Sequence, residues 1–360
     1  MKIAIVLGTR PEIIKLTPVI RELERLRADY FILHTGQHYS YELDKIFFEQ
    51  LELPRPEYNL DVGSGSHAEE TAKMLIGTEK VLAQEKPRFV LVEGDTNSVL
   101  AGALAAAKLS IGVGHVEAGL RSYDRTMPEE INRILADHLA DQLYAPTPKA
   151  KEILLGEGMA ESKIFVTGNT IVDAVYQNLE LAKQKRNILR ELGLREKQYL
   201  LVTLHRQENV DNRSRLVAIL EGLKRVAEQL QQPVLYPIHP RTRKRLQEFK
   251  LNPEKLTILE PLDFLGFLQL ESNARLVLTD SGGVQEEACI LRVPCVTLRD
   301  NTERPETLEV GANILAGAVA DNIVAGVQTM LGRKADWANP FGDGRAAERI
   351  VKIVTEAEHG

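Results

Sequence analysis

The chain has 360 residues, which at about 150 residues per domain predicts two domains. Lys and Arg number 45 against 51 Asp and Glu, and the resulting net charge of −6 argues against a nucleic-acid-binding surface. The 44% hydrophobic and 27% charged content excludes a disordered chain, while two cysteines, Cys289 and Cys295, exclude a disulfide framework and suit a reducing compartment.

The amino terminus lacks the features of a targeting segment. MKIAIVLGTRPEII is apolar only as far as Gly8, which is shorter than a secretory signal requires. No stretch approaches the ~20 apolar residues of a membrane span. We therefore expect a soluble, cytoplasmic protein with no membrane partner.

Short β-rich runs alternate with helical patterns along the chain. The runs are almost continuously apolar and then turn polar or glycine-rich, as parallel strands covered on both faces do. The predicted strands are 2–8, 89–95, 112–119, 164–169, 199–205, 234–239, 275–283 and 294–300. Helices are predicted at 98–110 and 214–230, which gives the rhythm of a doubly wound α/β fold.

The rhythm restarts in the middle of the chain, where a charged helical stretch (179–197) precedes the strand YLLVTLH. We predict two Rossmann-like domains that face each other across a cleft. Residues 1–170 form the first domain, 171–344 form the second, and a C-terminal helix at 345–360 returns to the first. Because ligands of such sheets bind outside the carboxyl ends of the strands, the motifs at strand ends are the candidate site residues.

The first of these motifs is GTRPEIIK, which follows the first strand. Gly8 ends the strand and Pro11 suits the first turn of a helix. Arg10 is then beside the positive end of the helix dipole, with Lys15 about one turn further on, and this favours a phosphate. The alternative is a surface turn with two solvated cations. No GxGxxG is present, which argues against NAD or FAD.

Carboxylates follow two predicted strands of the first domain. Asp95 in EGDTNS and Glu117 in HVEAGLRS can reach one site, and clustering would separate their pKa values as acid/base chemistry requires. Glu129 and Glu130 follow in MPEEINR, where acids are also simply favoured in a first helical turn. An Asp at a strand end is also a common helix cap.

TLHRQEN ends the first strand of the second domain. His205 at this point can contact a leaving phosphate as a cation or a hydrogen-bond donor, and Arg206 follows it. The alternative is a histidine with a purely structural role.

TDSGGVQEEA ends another strand of this domain and begins a helix. Gly282 and Gly283 allow a diphosphate to approach the backbone N–H groups, and Ser281 adds a hydroxyl. Glu287, one turn into the helix, can accept hydrogen bonds from ribose hydroxyls. The alternative is an ordinary strand–turn–helix corner.

Metal-binding patterns are weak. His34 and His38 are separated by a glycine at a strand end, and His115 with Glu117 has no third ligand. Neither HExxH nor CxxC occurs. HPRTRKR (239–245) is most simply a solvated helix face. We expect neither a metal nor a redox cofactor.

Ten motifs in register resemble the non-hydrolysing UDP-N-acetylglucosamine 2-epimerase family over nearly the whole chain. They are GTRPEIIK, HTGQH, GDTNS, HVEAGLRS, PEEINR, GNTIVDA, HRQEN, DSGGVQEEA, ERPET and NPFGDGRAAERI. The resemblance implies a glycosyltransferase-B-like fold, a homodimer, and interconversion of UDP-GlcNAc and UDP-ManNAc.

The resemblance also implies roles for individual residues. Arg10, Lys15 and Arg206 would bind the diphosphate, and Ser281, Gly282, Gly283 and Glu287 would bind UDP. Asp95, Glu117, Glu129 and His205 would be catalytic, and neither a cofactor nor a metal would be needed.

Two segments depart from the family pattern. Many bacterial members carry a Gln-rich segment tied to allosteric binding of a second UDP-GlcNAc, where this chain has QHYSYELD (37–44). Gln207 stands where an arginine is common.

The alternatives to this activity are a 2-epimerase of a related sugar such as a UDP-2,3-diacetamido uronate, a glycosyltransferase of the same fold, a hydrolysing epimerase, and a non-catalytic nucleotide-sugar sensor.

Overall fold

The computed structural model describes residues 1–36 and 41–356, with the backbone alone for residues 41–44. The chain divides into two compact units, residues 1–177 with 341–360 and residues 178–340, and the boundary falls inside one helix. No helix in these described parts is both long and apolar enough to span a bilayer.

The first unit is a parallel α/β sheet with helices on both faces. Its strands are β1 (Lys2–Leu7), β2 (Asp29–His34), β3 (Tyr58–Asn59), β4 (Phe89–Glu93), β5 (Gly112–Val116), β6 (Gln142–Ala145) and β7 (Ile164–Val166). Its helices are α1 (Arg10–Arg25), α2 (Tyr41–Gln50), α3 (His67–Glu85), α4 (Asn97–Lys108), α5 (Pro128–Leu139), α6 (Pro148–Gly156) and α7 (Thr170–Lys185), with a 3-10 turn at Glu161–Lys163.

All strand pairs of this sheet are parallel, in the order β3-β2-β1-β4-β5-β6-β7. The strands read as apolar runs because helices cover both faces. Ala4 and Val6 of β1 belong to one core cluster with residues of α3 and α4, and their neighbours Ile3, Ile5 and Leu7 are also fully buried. The sheet reverses direction of winding between β1 and β4, and this brings the ends of β1, β4 and β5 together.

The C-terminal helix of the chain, Ala346–Glu356, belongs to the first unit. Its first N–H groups, those of Ala346 and Ala347, donate to the buried carboxylate of Asp173 at 3.2 and 3.0 Å. Arg349 donates to the carbonyl oxygen of Thr167 at 3.0 Å. The predicted return of this helix to the first domain is confirmed.

The second unit is a smaller parallel α/β sheet. Its strands are β8 (Leu200–Thr203), β9 (Val234–Pro237), β10 (Thr257–Leu259), β11 (Leu276–Thr279), β12 (Cys295–Thr297) and β13 (Asn313–Leu315). Its helices are α8 (Ile188–Glu191), α9 (Gln207–Val210), α10 (Arg213–Leu230), α11 (Pro240–Glu248), α12 (Phe264–Asn273), α13 (Gly282–Ile290), α14 (Pro305–Glu309) and α15 (Ala320–Leu331), and the C-terminal helix is therefore α16.

The strand order of the second sheet is β10-β9-β8-β11-β12-β13, which repeats the winding of the first. Successive side chains of each strand point to opposite faces of the sheet and contribute to two core clusters. On one face they pack against α10 and α15, and on the other against α12 and α13. The winding reverses between β8 and β11, so the loops after these two strands are neighbours. The predicted α/β class, with two parallel-sheet units, is confirmed.

All eight predicted strands are present, but the charged stretch 179–197 is not one helix. Helix α7 ends at Lys185, and Asn187 then caps the short α8 by accepting from the N–H of Arg190. Gly193, with φ +65°, follows α8. The pattern did not predict β2 and β6, which have six and four residues. It also did not predict β3, β10 and β13, which have only two or three residues each.

Candidate functional site

The turn from β1 into α1 is held by a buried carboxylate. Glu12, 1% exposed, accepts from the N–H of Gly8 at 3.0 Å and from the hydroxyls of Thr9 and Thr96 at 2.7 and 2.8 Å. A Cβ on Gly8 would lie 2.0 Å from Oγ1 of Thr35, so this position has no room for a side chain. The turn thus fixes where α1 begins.

Arg10 is the first residue of α1, as its motif predicts. Its guanidinium is exposed and lies over the ring of Phe47, 4.9 Å from the ring centroid. Because Arg10 begins α1, it belongs to the first turn, where the helix dipole is positive. The position therefore suits an anionic ligand.

Lys15 lies one turn further along α1 and contacts carboxylates. Its Nζ is 2.5 Å from Oε2 of Glu117 and 3.2 Å from Oε1 of Glu93. Asn169 donates from Nδ2 to the other oxygen of Glu117 at 3.2 Å. Glu117 itself has φ +70°, an unusual conformation for a residue with a side chain. The end of β5 is therefore shaped to present this carboxylate.

Glu93 is a site residue that the sequence analysis missed. It is the last residue of β4 and is 1% exposed. Burial raises its pKa well above the usual value, Lys15 opposes this, and the nearby Glu117 raises the pKa further. The only feature of the sequence that could have pointed to Glu93 is its position as the single acidic residue at the end of the apolar run FVLVE.

Asp95 follows β4 and pairs with the guanidinium of Arg133. Asn132 donates to the backbone oxygen of Asp95 at 3.0 Å, so two successive residues of α5 hold this loop. About a third of the Asp95 side chain remains exposed. The structure thus leaves the candidate carboxylate accessible while fixing its backbone.

The two acids of PEE differ in their surroundings. Glu129 is exposed, whereas Glu130 is buried and accepts from the N–H groups of Ser122 and Tyr123, each at 2.9 Å. Arg133 lies 3.1 Å from Glu130 as well. Glu130 therefore organises the loop before α5, and Glu129 is the acid of this pair that solvent or a ligand can reach.

His115 and Asp137 form a buried ion pair behind these loops. Nδ1 of His115 lies 2.6 Å from Oδ1 of Asp137, and Nε2 lies 2.8 Å from the carbonyl oxygen of Gly94. Since both ring nitrogens face acceptors, both carry protons. Burial lowers the pKa of His115, but Asp137 outweighs this and the net shift is upward. The cationic imidazole thus anchors the backbone that leads into Asp95.

In the second unit, Asp280 connects the loops after β8 and β11. It is fully buried, and its carboxylate accepts from the N–H groups of His205 and Arg206 at 3.0 and 2.9 Å and from Asn209 at 3.2 Å. Nδ1 of His205 lies 3.2 Å from Oδ1 of Asp280. The imidazole of His205 also stacks against His239, with ring centroids 5.6 Å apart.

The α13 amino terminus has the form that the glycines predict. Ser281 is the N-cap, and its hydroxyl accepts from the N–H of Val284. The N–H groups of Gly282 and Gly283 belong to the free first turn, where the helix dipole favours an anion. An acidic side chain, that of Glu303, is already near: its Oε2 lies 3.5 Å from the position of a Cβ on Gly282.

Glu287 lies one turn into α13, as predicted, and is half-buried. Burial raises its pKa to about 7. The fully buried Glu271 of α12 is an electrostatic neighbour, and burial together with Glu287 raises its own pKa well above the usual value. Sequence analysis did not predict this second carboxyl group.

The weaker metal-binding candidates are structural where they are described. Nδ1 of His34 lies 3.3 Å from Oδ1 of Asn59, and His38 is outside the described residues. Within the described chain, no three His, Cys, Asp or Glu side chains are grouped to hold a metal ion. Of the segment 37–44, residues 37–40 and the side chains of 41–44 are outside the described part.

Comparison with known proteins extends the family resemblance to the full chain. Residues 21–355 match the sequence model of the UDP-N-acetylglucosamine 2-epimerase family. The UDP-N-acetylglucosamine 2-epimerase of Methanocaldococcus jannaschii is 58% identical over 366 aligned positions, covering 100% of both chains. The UDP-2,3-diacetamido-2,3-dideoxy-D-glucuronate 2-epimerase of Pseudomonas aeruginosa is 42% identical over 360 positions, covering 99% of this chain and 100% of the relative.

A solved structure agrees with these sequence relatives. The crystal structure of the Methanocaldococcus jannaschii UDP-GlcNAc 2-epimerase in complex with UDP-GlcNAc and UDP matches with a TM-score of 0.86 and 59% identity, covering 99% of this chain and 100% of that one. Fold, length and sequence therefore agree, and the chain belongs to the UDP-N-acetylglucosamine 2-epimerase family.

Proposed function

We propose that this protein interconverts UDP-GlcNAc and UDP-ManNAc by inverting C2 of the sugar. The observation that carries the proposal is the group of ionisable side chains at the ends of β4 and β5, where Lys15 contacts Glu93 and Glu117 beside Asp95. Family membership supports the same activity.

The reaction needs a route around an unreactive proton, because no carbonyl group acidifies C2 of the pyranose. In the proposed route the C1–O bond breaks first or concurrently, and UDP leaves with the bonding electrons. A carboxylate then takes the C2 proton and a C1=C2 double bond forms, which gives 2-acetamidoglucal. Re-addition reverses these steps, with a proton delivered to the opposite face of C2 and a UDP oxygen attacking C1.

The second unit supplies groups suited to the departing diphosphate. The first turn of α13, opened by Gly282 and Gly283 and capped by Ser281, favours negative charge. Strands β8 and β11 are neighbours, so His205 follows the strand beside the one that leads into this turn. Its Nδ1 faces Asp280, and Arg206 adds a cation. Glu287 is placed one turn later to accept from the ribose. Donors of this kind are each worth about 2.7–4 kcal/mol when charge develops in the transition state.

The first unit supplies the proton-transfer groups. Glu117 is an oriented carboxylate that accepts from Lys15 and Asn169, while Asp95 and the exposed Glu129 are within reach of solvent or ligand. We assign the two proton transfers to these three acids. Arg10 would contact the diphosphate, and Lys15 would act chiefly through Glu117, since its ammonium group already lies against that carboxylate.

Turnover of UDP-GlcNAc in heavy water, followed by NMR, tests the proposal. We expect UDP-ManNAc as the product, with deuterium at C2 of both sugars at equilibrium. Retention of the C2 proton during epimerisation would exclude proton abstraction. Free ManNAc as the product would indicate a hydrolysing enzyme, and binding without turnover would indicate a sensor.

A second candidate substrate is a UDP-2,3-diacetamido uronate, which the 42% identical Pseudomonas aeruginosa relative favours. The same proton transfers at C2 serve both sugars, so the strand-end carboxylates do not distinguish them. A panel of UDP sugars compared by kcat/KM makes the distinction. If kcat/KM is higher for the uronate, the uronate replaces UDP-GlcNAc as the proposed substrate.

We also propose a homodimer, which an exposed apolar surface on α3 and α5 supports. Ala68, Ala72 and Leu75 of α3 line a groove with Ile131 of α5, and Ile131 is 43% exposed. Light scattering should give twice the chain mass for the native protein and less for Ile131→Asp. Val319→Asp, which changes an exposed apolar residue of the second unit, is the control.

We place the protein in the cytoplasm. Cys289 and Cys295 are both free thiols buried in the second unit, which suits a reducing compartment.

A further inference from the structure

Glu93 is a buried acid that the proposed reaction does not use directly. Its side chain is almost completely buried at the end of β4, and its Oε1 makes no geometrically sound hydrogen bond although Nζ of Lys15 is 3.2 Å away. Three ionisable groups surround it. They are Lys15 and Glu12 from α1 and Glu117 from the end of β5.

The single ammonium group of Lys15 can balance only one of the two carboxyl groups beside it, Glu93 and Glu117. Lys15 contributes one positive charge and approaches Glu117 more closely than Glu93, at 2.5 against 3.2 Å. A second full negative charge on Glu93 would be buried without its own counterion, and such a charge is strongly disfavoured. The neutral acid avoids this cost and gains an O–H donor.

The structure assigns to Glu93 the role of a positioning residue: a neutral carboxylic acid that, together with Lys15, holds the carboxylate of Glu117 in place at the end of β5. This assignment rests on the proposed function, in which Glu117 transfers a proton at C2.

The neutral acid has two consequences for Glu117. Its O–H is a donor toward a carboxylate that Lys15 and Asn169 also contact, and this third donor helps to fix the orientation of that carboxylate. Because Glu93 is uncharged, the ammonium group of Lys15 forms its ion pair with Glu117 alone. Ionisation of Glu93 at alkaline pH would make two carboxylates share one ammonium group and would release Glu117 from its position.

Substitution of Glu93 separates these effects. Glu93→Gln has the shape of the neutral acid and keeps a donor, so we expect kcat at neutral pH within about threefold of the native value. Because glutamine cannot ionise, the alkaline limb of the kcat profile should move up by about one pH unit. Glu93→Leu removes the donor and should lower kcat by about 10- to 100-fold, with little change in KM.

A matched control is available at the opposite edge of the same sheet. Glu85 lies against Lys2 at the start of β1, as Glu93 lies near Lys15 at the end of β4. Glu85→Gln therefore makes the same chemical change away from the site, and it should leave both kcat and the pH profile unchanged.

Infrared difference spectra give a readout that does not depend on turnover. The native-minus-Glu93→Gln spectrum at neutral pH should contain the band of a protonated carboxyl group. A carboxylate band there, or a Glu93→Gln profile identical to the native one, would overturn the assignment. If the native protein incorporates no deuterium from heavy water, the proposed function fails, whereas the infrared result still decides the protonation state of Glu93.

Discussion

The carboxylate of Asp280, at the end of β11, accepts hydrogen bonds from the backbone of His205 and faces its ring, with Oδ1 3.2 Å from Nδ1. Burial alone would raise the pKa of Asp280, but the hydrogen bonds and charge of His205 lower it below its ordinary value. The result is an ionised acid that fixes Nδ1–H and leaves Nε2 as the nitrogen that can reach a ligand.

We expect Asp280→Asn to lower kcat by roughly 10² while UDP still binds. The amide keeps the shape of the acid. Its oxygen can satisfy the backbone N–H groups, which turns its NH2 toward Nδ1 of His205 and favours the wrong tautomer. Steady-state kinetics with UDP titration calorimetry measures both effects.

The control for this substitution is Asp263→Asn. Asp263 also caps a helix of the second unit, accepting from the N–H of Gly266 at 2.7 Å. Asparagine caps a helix about as well as aspartate, so the change should cost only the ion pair with Arg186 at 3.0 Å, less than about 1 kcal/mol, and should leave kcat unchanged. Native kcat in Asp280→Asn would show that His205 needs no orientation by Asp280.

The His115–Asp137 pair should make stability depend on pH in a defined window. The pKa of His115 is raised in the folded state, so its contribution is complete below about 6.5, the unfolded value, and is lost as the pH rises through the folded pKa. The pKa of Asp137 is lowered because His115 and Arg121 outweigh its burial, so its contribution is present above about 3.9 and is lost as the pH falls.

Asp137→Asn should therefore lower the urea midpoint most between about pH 4 and 6.5, and less at alkaline pH. The loss within the window should correspond to about 3–5 kcal/mol, since the cationic His115 would remain buried without its acid, whereas Arg121 keeps its pairing with Glu157. Asp141→Asn, which changes an exposed acid two residues after the end of the same helix, should give a small difference. A pH-independent difference for Asp137→Asn would contradict a charged pair.

Gly8→Ala should destabilise the first unit. The added methyl group would lie 2.0 Å from Oγ1 of Thr35 and 2.2 Å from Oγ of Ser98, so the turn carrying Arg10 and Glu12 must move. We expect a cost of about 1–3 kcal/mol and a large loss of kcat, measured by thermal unfolding and turnover. Gly156→Ala, at the end of α6 where a Cβ meets nothing within 4 Å, is the control and should be neutral or slightly stabilising.

The main strands, and the site residues at their carboxyl ends, were predictable from the sequence. A strand that is buried on both faces is a nearly continuous apolar run, and the polar residues that follow it are easy to identify. Asp95, Glu117, His205 and Ser281 were found by their place after such runs. Their partners were not, since pairing across the sheet depends on strand order.

Glu93 illustrates this limit. In the sequence it is a single polar residue at the end of FVLVE. The contact with Lys15 of α1 follows only from the pairing of β1 with β4, which the sequence pattern does not reveal. The pairing of Asp280 with His205 likewise requires that β8 and β11 be adjacent, although 75 residues separate the two along the chain.

Glu303 should compete with the diphosphate of UDP. Its Oε2 lies beside Gly282 and 3.8 Å from Nη2 of Arg206, and its Oε1 lies 3.3 Å from Nη2 of Arg299. Burial raises the pKa of Glu303, but Arg299 and Arg206 outweigh this and lower it, so the group is an anion among the cations that a diphosphate would need.

Glu303→Gln should tighten UDP binding by about fivefold at low ionic strength, because a unit charge at this separation in a solvated site is worth about 1 kcal/mol. The gain should shrink as salt is added. Glu309→Gln, which removes an exposed acid at the end of α14, is the control for net charge and should leave the Kd unchanged. Weaker binding by Glu303→Gln would mean instead that Glu303 holds Arg206 and Arg299 in the orientation that UDP requires, and titration calorimetry at two salt concentrations distinguishes the two cases.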